Sequence, residues 1–538
     1  MSFAEKDCFQ RFIADEVGTQ KKEVGILLPG NILDELTCWT PRALGRNSKT
    51  FLGLRRLNGR PLFVWIAQSF FKSSTAKIAK LYVLCPGRNQ ALITFIRSHY
   101  PRNLIECLYK GSLREKLLTI LEMEKGKASS ITFLRDNALS TEPILRTKKE
   151  LVSLDGRTLY WHNKDILSLQ EIVENTKEDF LLKKEILKAV GLCFHEIKGI
   201  EKKKYLMIDN DSDFGVAKSQ LIESRSFNSL KIHPLFPEIV KSSTDKQKLE
   251  YEVFWYQGVP EQFRALTPRI LKYDESGVRM EYYGYGTLTE KFLYDNLPLE
   301  EWEIVLRKLF RIVDLFSREK IESNQNTFRD FYLNKFSVRC ERARELPELG
   351  ELFDRKQIVV NGVKYRGLPK LISFIKRKLE EISETAVGSI GHGDLCFNNI
   401  LYDRGSGVIK LIDPRGNIGG VPSIMCDSRY DIAKLKHSFC GNYDGVVEGE
   451  FFLDENDNGF DFYLSRSETV RDRELLFKQL CLEFGFCFET ISFIEAYLFL
   501  TMIPLHKDSV RKMKAFFLIS IVKFNQCLEF QDENLCRS

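Results

Sequence analysis

Apolar positions fall into two regimes along the chain. Residues 24 to 30, VGILLPG, form an unbroken apolar run closed by Pro-Gly, and Lys80-Leu-Tyr-Val-Leu-Cys-Pro-Gly87 repeats the plan. Short runs bounded by turn residues predict buried strands. Between them Leu57-Asn-Gly-Arg-Pro-Leu-Phe-Val-Trp65 opens a helical segment, and Gly111 to Glu124 leads as a helix into Ile131-Thr-Phe-Leu-Arg-Asp136. Strands alternating with helices at this spacing predict an α/β unit with a mostly parallel sheet over residues 24–215, after a charged tail over 1–23. Ligands in such sheets collect at the carboxyl ends of strands.

The second regime begins near Tyr205, with Asp213-Phe-Gly-Val-Ala-Lys-Ser219 read as the junction. Arg225 to Ile232 and Glu238 to Lys241 read as two strands about a Pro-bearing turn, Lys248 to Trp255 as a helix, and Val278 to Gly286 as a strand running into glycines. Residues 216–290 are therefore strand-rich. From 291 to 538 helical spacing dominates: Trp302, Val305, Leu306, Leu309, Phe310 and Val313 share one face, and Leu368 to Ile382 has the same periodicity. Ile358-Val-Val-Asn-Gly-Val-Lys-Tyr365 reads as a hairpin on an Asn-Gly turn. Asp427 to Leu435 starts a further helix. Ile491 to Leu505 contains Glu495 and is shorter than the ~20 residues of a spanning helix, so it reads as a core helix. The remaining chain to Ser538 reads as a helical layer.

Composition narrows the classes without choosing one. A length of 538 residues implies two or three domains. A net charge of +6 over this length suits anionic nucleotides and gives no case for nucleic acid or membrane as partner. Thirteen cysteines form no Cys-x-x-Cys pair, which argues for a reducing, cytoplasmic setting over a disulfide framework or zinc site. The charged N-terminal stretch has no apolar core and reads as neither signal peptide nor anchor.

Candidate chemistry concentrates in Ser389 to Gly420, SIGHGDLCFNNILYDRGSGVIKLIDPRGNIGG. Asn399-Ile-Leu-Tyr and Gly407-Val-Ile-Lys-Leu-Ile-Asp413 read as two strands about an Asp403-Arg-Gly-Ser-Gly turn, so the hairpin brings Asn399 to Asp413, with Asp394 in the preceding loop. Two carboxylates and a carboxamide suit phosphoryl transfer, in which the protein aims an acceptor hydroxyl and holds metal between phosphates. Asp394 would take or orient the hydroxyl proton. Asn399 and Asp413 would offer hard oxygen ligands to Mg²⁺.

HGDLCFNN followed by LIDPRG resembles the paired signature of the aminoglycoside phosphotransferase and choline kinase family, whose fold is that of the protein kinases. The resemblance implies an α+β bilobal unit, with residues 216–290 as small lobe, 291–538 as large lobe and 389–420 as catalytic loop. It implies ATP and Mg²⁺, a catalytic base at Asp394, and metal ligands at Asn399 and Asp413. It further implies a strand lysine gripping the phosphates and held by a helix glutamate: Lys241 with Glu252, Glu250 being second choice. Ser226 and Asn228 would lie in the loop over the triphosphate, and Met280 and Tyr282 in a hinge reaching adenine through backbone groups. Arg415 would clamp a phosphate or acidic substrate group, or form a surface ion pair. Asp431 would stabilise the catalytic loop, touch the acceptor or cap its helix. HGD in place of HRD and IDPRG in place of DFG favour a small-molecule acceptor over a protein.

Asn58-Gly-Arg-Pro-Leu62, Lys110-Gly-Ser-Leu and Arg135-Asp136-Asn are similar to the order of motifs in sugar-nucleotidyltransferase domains, with Asp136 as metal-ligand candidate. After Pro29-Gly30 stands Asn-Ile-Leu-Asp-Glu-Leu, without the GxGxR cradle through which backbone N–H groups approach a triphosphate, so this unit reads as degenerate. The whole reads as a kinase for an amino alcohol, polyol or sugar, in a setting of bacterial capsule or surface-polysaccharide precursor synthesis. Two readings stay open beside it, a non-catalytic scaffold or regulatory pseudoenzyme and a bifunctional kinase/nucleotidyltransferase.

Overall fold

The structure, a computed structural model, describes residues 228–537 except 234, 296, 324, 465–468 and 508. Within the first 227 residues it describes 22–28, 56–57, 60–73, 78–84, 90–100, 105–124, 128–135, 138–140, 150–154, 157–163, 173–175, 193–196 and 205–207. The chain divides into two compact units, Met1–Ile222 and Glu223–Ser538.

The first unit is an α/β fold around a seven-stranded sheet. Lys22–Leu28 runs parallel to both Ile78–Leu84 and Ala128–Arg135, and Ile105–Leu108 extends the sheet in parallel beside Ile78–Leu84. On the other side Arg157–Asn163 pairs antiparallel with Ala128–Arg135 and Glu150–Leu154 antiparallel with it, and Cys193–Glu196 closes that edge. The apolar runs of the sequence thus form central strands, and consecutive Leu81, Tyr82, Val83 and Leu84 are buried, so that strand is covered on both faces as parallel strands are. Leu62, Val64 and Phe70 of the Leu62–Ser73 helix are fully buried. Helix Leu113–Met123 starts on a capping box in which Ser112 accepts from Glu115 N–H and Glu115 accepts from Ser112 N–H. Asp136, the Pro29-Gly30 turn and the Asp213 segment lie outside the described residues.

The second unit is α+β, a strand-rich small lobe followed by a mainly helical large lobe. Its small lobe is an antiparallel sheet in the order Asn228–Ile232, Glu238–Ser243, Gly277–Glu281, Ile270–Asp274, with helix Lys246–Gly258 following the second strand. The large lobe packs helices Leu299–Arg318, Ser428–Phe439, Phe488–Met502 and Val510–Arg537, with the apolar face of Leu299–Arg318 buried. Helix Phe488–Met502 is long and apolar enough to pass for a membrane span with the residues after it, but Ile491, Ile494 and Tyr497 to Leu500 are buried within this lobe. Gln357–Val360 and Val363–Arg366 make the Asn-Gly hairpin, with φ +51° at Asn361 and +77° at Gly362 as a two-residue turn of this hand requires.

One element departs from the reading of the C-terminal stretch as purely helical. Phe451–Asn456 and Gly459–Leu464 form an antiparallel hairpin that joins Gln357–Val360 in a four-stranded sheet. Alternation of Phe460 and Phe462 with Asp461 is a strand pattern, and Gly459, at φ +128°, supplies the turn geometry.

Candidate active site

The small lobe delivers its lysine through register. Lys241 lies on the Glu238–Ser243 strand between Leu230 and Val278, and its Nζ lies 2.6 Å from Glu252 Oε2 and 2.8 Å from Asp413 Oδ1. Lys241 and Glu252 are almost fully buried, whereas the Asp413 side chain is 45% exposed. Burial by itself would depress the lysine, but the two carboxylates outweigh it and hold the ammonium above its ordinary value. Burial and nearby Asp413 push the Glu252 carboxyl up to about 7 against the pull of Lys241.

Helix Lys246–Gly258, which carries Glu252, is tied to the large lobe at several further points. Trp255 Nε1–H donates to Gly391 O at 2.7 Å, Asp413 N–H donates to Tyr256 Oη at 3.1 Å, and Tyr251 O–H donates to Gly420 O at 2.6 Å. Gly416 sits against this helix at φ +65°, where an added Cβ would fall 1.8 Å from the Tyr251 carbonyl oxygen. Only glycine allows that approach.

In the large lobe the loop that carries His392 to Asp394 hangs from one buried carboxylate. Asp431 Oδ2 accepts from His392 N–H at 2.7 Å and Oδ1 from Gly393 N–H at 2.9 Å. Burial raises the Asp431 carboxyl to about 7 in spite of those two donors. His392 Nδ1 accepts from Asp394 N–H, leaving Nε2–H to donate to Ile412 O at 2.9 Å. It thereby spans from the loop to the hairpin strand, and burial lowers its imidazole to about 4. Gly393 takes φ +73°, and a Cβ there would meet Arg415 Cβ at 2.9 Å.

Asp394 is therefore presented by a fixed backbone. Its Oδ1 pairs with Lys434 Nζ at 2.9 Å, and Oδ2 accepts from Asn399 Nδ2 at 3.0 Å. The Asn399 amide also donates to the Asp394 carbonyl at 2.8 Å. Both contacts use the nitrogen of the carboxamide, so its Oδ1 is the atom left to accept. The hairpin Ile400–Tyr402/Ile409–Leu411 is closed beneath by Ile412 N–H to Asn399 O at 2.9 Å, which sets Asn399 and Asp413 at the same end. Asp413 adopts φ +56°, a left-handed conformation that Asp tolerates better than most residues. Hard oxygen donors on Asn399 and Asp413 fit Mg²⁺, which commonly takes one or two protein ligands beside phosphates and water. Among the described residues no cluster of three or more His, Cys, Asp or Glu forms a further metal site.

Lys241, Glu252, Asp394, Asn399 and Asp413 are thus linked through one set of contacts, and three expectations need correction. Asp431 does not cap its helix, since Asp427 does so through Arg429 N–H, and it does not face an acceptor, since it is buried with both oxygens taken by the loop. Arg415 forms no surface ion pair with any described carboxylate; it is part-buried, donates to Tyr430 Oη at 2.9 Å and lies over the rings of Phe331 and Tyr430. Asn228 is not in a loop over the phosphates but begins a strand opposite Ser243. Met280 is buried between strands, and the N–H groups of Glu281 and Tyr282 donate to Arg269 O and Pro237 O. Glu250 lies on the exposed side of its helix, and Ser226 lies outside the described residues.

Lys434 escaped the sequence reading. Its only signal is position, one helical turn beyond Asp431 on the helix that anchors the loop.

No protein-family model matches the chain, and no curated protein does. Among solved structures, a choline kinase from Cryptosporidium parvum Iowa II aligns over 59% of this chain and 89% of its own at 14% identity and a TM-score of 0.33. A glucosamine kinase in complex with glucosamine, ADP and inorganic phosphate aligns over 58% and 84% at 12% identity and a TM-score of 0.35. A 4-diphosphocytidyl-2C-methyl-D-erythritol synthase aligns over 38% and 100% at 8% identity and a TM-score of 0.26.

Proposed function

We propose that the second unit is an ATP-dependent phosphotransferase that moves the γ-phosphoryl group to a hydroxyl of a small metabolite. The observation that carries this reading is the bridge made by Lys241 between Glu252 and Asp413, 172 residues further along the chain, beside the Asp394–Asn399 pair. A buried ammonium facing a carboxylate, next to a carboxamide oxygen and a second carboxylate, is a layout for triphosphate and hydroxyl together. Asp394 orients the acceptor hydroxyl and takes its proton as the new O–P bond forms and the bond from the γ-phosphorus to ADP breaks. Lys434 and Asn399 fix the rotamer of Asp394, so little orientation is lost on binding. Lys241 steadies the phosphates, with Glu252 holding it in place. Asn399 and Asp413 would hold magnesium, which when bound neutralises phosphate charge.

Joined to a nucleotidyltransferase-like unit, such an activity suits two consecutive steps, phosphorylating an alcohol and then activating the phosphate. A cytoplasmic role in making precursors of bacterial capsule or surface polysaccharide is the setting this pairing supports. The test is Mg²⁺-dependent ADP formation by the full chain across amino alcohols, polyols, sugars and their acids and phosphates. Turnover that disappears in Asp394→Ala supports the reading; no binding of Mg²⁺-ATP and no turnover across the whole panel refutes it.

A further inference from the structure

Beside Asp394 lies a group of cations with too few anions. Lys335 Nζ donates to Tyr430 Oη at 2.8 Å, and Arg415 Nη2 donates to the same oxygen at 2.9 Å. Two positive groups therefore stand within about 6 Å of each other, a costly arrangement at close range without a counter-charge. Arg339 follows Lys335 by one turn on helix Lys335–Arg344 and is part-buried on the same side. Among the described residues no carboxylate lies within ion-pairing distance of Lys335, Arg339 or Arg415. The nearby acids are already committed: Asp394 to Lys434, Asp427 to Arg429 and Tyr332, and Asp431 to the loop N–H groups.

Hydrogen-bond inventory points the same way. Lysine and arginine only donate, and Tyr430, whose oxygen already accepts twice, has only its O–H left to give. No described group accepts that O–H. Lys335 and Arg415 thus donate to one oxygen, Tyr430 Oη, with Arg339 one turn along the helix from Lys335. Burial and neighbouring Arg415 and Lys434 pull Lys335 down to about 8, and burial with Arg342 pulls Arg339 down; Arg415 is held up against burial by Tyr430, whose hydroxyl Arg415, Lys335 and Lys434 in turn pull down to about 8 against burial. A five-residue π-helical segment, Asp330–Asn334, immediately precedes Lys335 and puts Phe331 and Tyr332 against Tyr430. The aromatic faces that would otherwise receive a quaternary amine are covered, since Arg415 lies 4.9 Å from the Phe331 centroid and 4.8 Å from that of Tyr430, with Lys335 4.9 Å from Tyr430 and 5.7 Å from Tyr497. The cluster is contiguous with the catalytic loop, because Arg415 N–H donates to His392 O at 2.9 Å and packs on Gly393.

We infer that the phosphoryl acceptor is itself an anion: a small hydroxylated molecule whose carboxylate or phosphate seats on Lys335, Arg339, Arg415 and the Tyr430 hydroxyl, leaving a hydroxyl at Asp394. This rests on the phosphotransferase reading above and narrows its acceptor class. Bidentate guanidinium contact and a buried ammonium are the usual means of holding such a group.

The test compares matched acceptors with the full chain and Mg²⁺-ATP: D-glucitol, D-gluconate, D-glucitol 6-phosphate, choline and D-glucosamine. The expected result is a kcat/KM for gluconate or glucitol 6-phosphate at least ~100-fold above glucitol and both cations, the two anions separating carboxylate from phosphate. Lys335→Met and Arg415→Lys should each raise KM for the preferred anion ~10-fold or more, while Lys335→Met unfolds at the native temperature or above, because it removes a buried cation without a carboxylate partner. A lysine there for structure alone would lower that temperature and leave KM in place. Preference for a neutral or cationic acceptor overturns the inference and leaves the phosphotransferase reading standing. So does turnover of no acceptor together with binding of Mg²⁺-ATP but of neither anion by calorimetry. Failure of Mg²⁺-ATP binding as well overturns both.

Discussion

Lys241→Met is expected to separate turnover from folding. Removing one member of a buried ion pair ordinarily costs about 3–5 kcal/mol because a naked charge is left behind. Here the left-behind charge has an exit. Glu252 already stands near 7 with the ammonium 2.6 Å away, raised from its ordinary 4.5, so without Lys241 it takes up a proton at neutral pH. At pH 7 the native protein already carries most of the cost of holding Glu252 so far from its free value, and completing its protonation adds only about 0.5 kcal/mol. Asp413 is nearly half exposed, so water screens its loss of the lysine and little is added. The expected loss of stability is about 1 kcal/mol. Loss of a preorganised cation at the phosphates should cost about 3–4 kcal/mol in the transition state, ~100- to 1,000-fold in turnover. Coupled-enzyme detection of ADP and urea unfolding of the same preparation measure both quantities. Turnover within about fivefold of native refutes the assignment of Lys241, and a stability loss as large as 3–5 kcal/mol refutes the protonation argument. Adding Glu252→Gln to Lys241→Met should cause little further loss of turnover, because Glu252 acts through the lysine.

Three further changes probe other parts of the site and its support. Asp394→Asn should lower kcat by ~100-fold or more while calorimetry finds Mg²⁺-ATP bound as in the native protein, and unaltered kcat would remove Asp394 from the chemistry. His392, lowered from 6.5 to about 4, is neutral when folded, so the unfolded chain gains the proton first and stability falls as pH drops from about 6.5 towards 4. In His392→Gln that contribution is absent, and the gap in unfolding free energy between native and variant should close by about 2 kcal/mol between pH 7 and pH 5; a gap independent of pH would contradict burial of a neutral ring. Glu495, buried in helix Phe488–Met502, bridges Lys436 at 2.7 Å and Lys523 at 2.8 Å. Glu495→Ala should cost about 3 kcal/mol in denaturant unfolding, and pairing it with Lys436→Met should recover part of that loss.

Much of the site was legible because its residues are short-range neighbours of strong local signals. The hairpin that gathers Asn399 and Asp413 is written in its β-branched strands and in the turn of Asp403 to Gly407, and Lys241 and Glu252 are separated by one strand end and half a helix. What escaped depends on contacts that no local pattern carries. Lys434, Lys335 and Tyr430 look like ordinary residues of amphipathic helices until tertiary packing turns them towards Asp394 and Arg415. Asp431 was misleading for the same reason, since an acid in the first turn of a helix usually caps it, whereas here the strand residue Asp427 does so and frees Asp431 to hold the loop. The Phe451–Leu464 hairpin was hidden by a helix-rich neighbourhood, although its Asn456-Asp-Asn-Gly459 turn is plain in retrospect.

Gly416 has a consequence for how the site is held together. With the Tyr251 carbonyl pressed against its bare α-carbon and Trp255 and Tyr256 hydrogen-bonded to Gly391 and Asp413, the segment bearing Glu252 is docked on the Asp413 turn with Lys241 already in its pair.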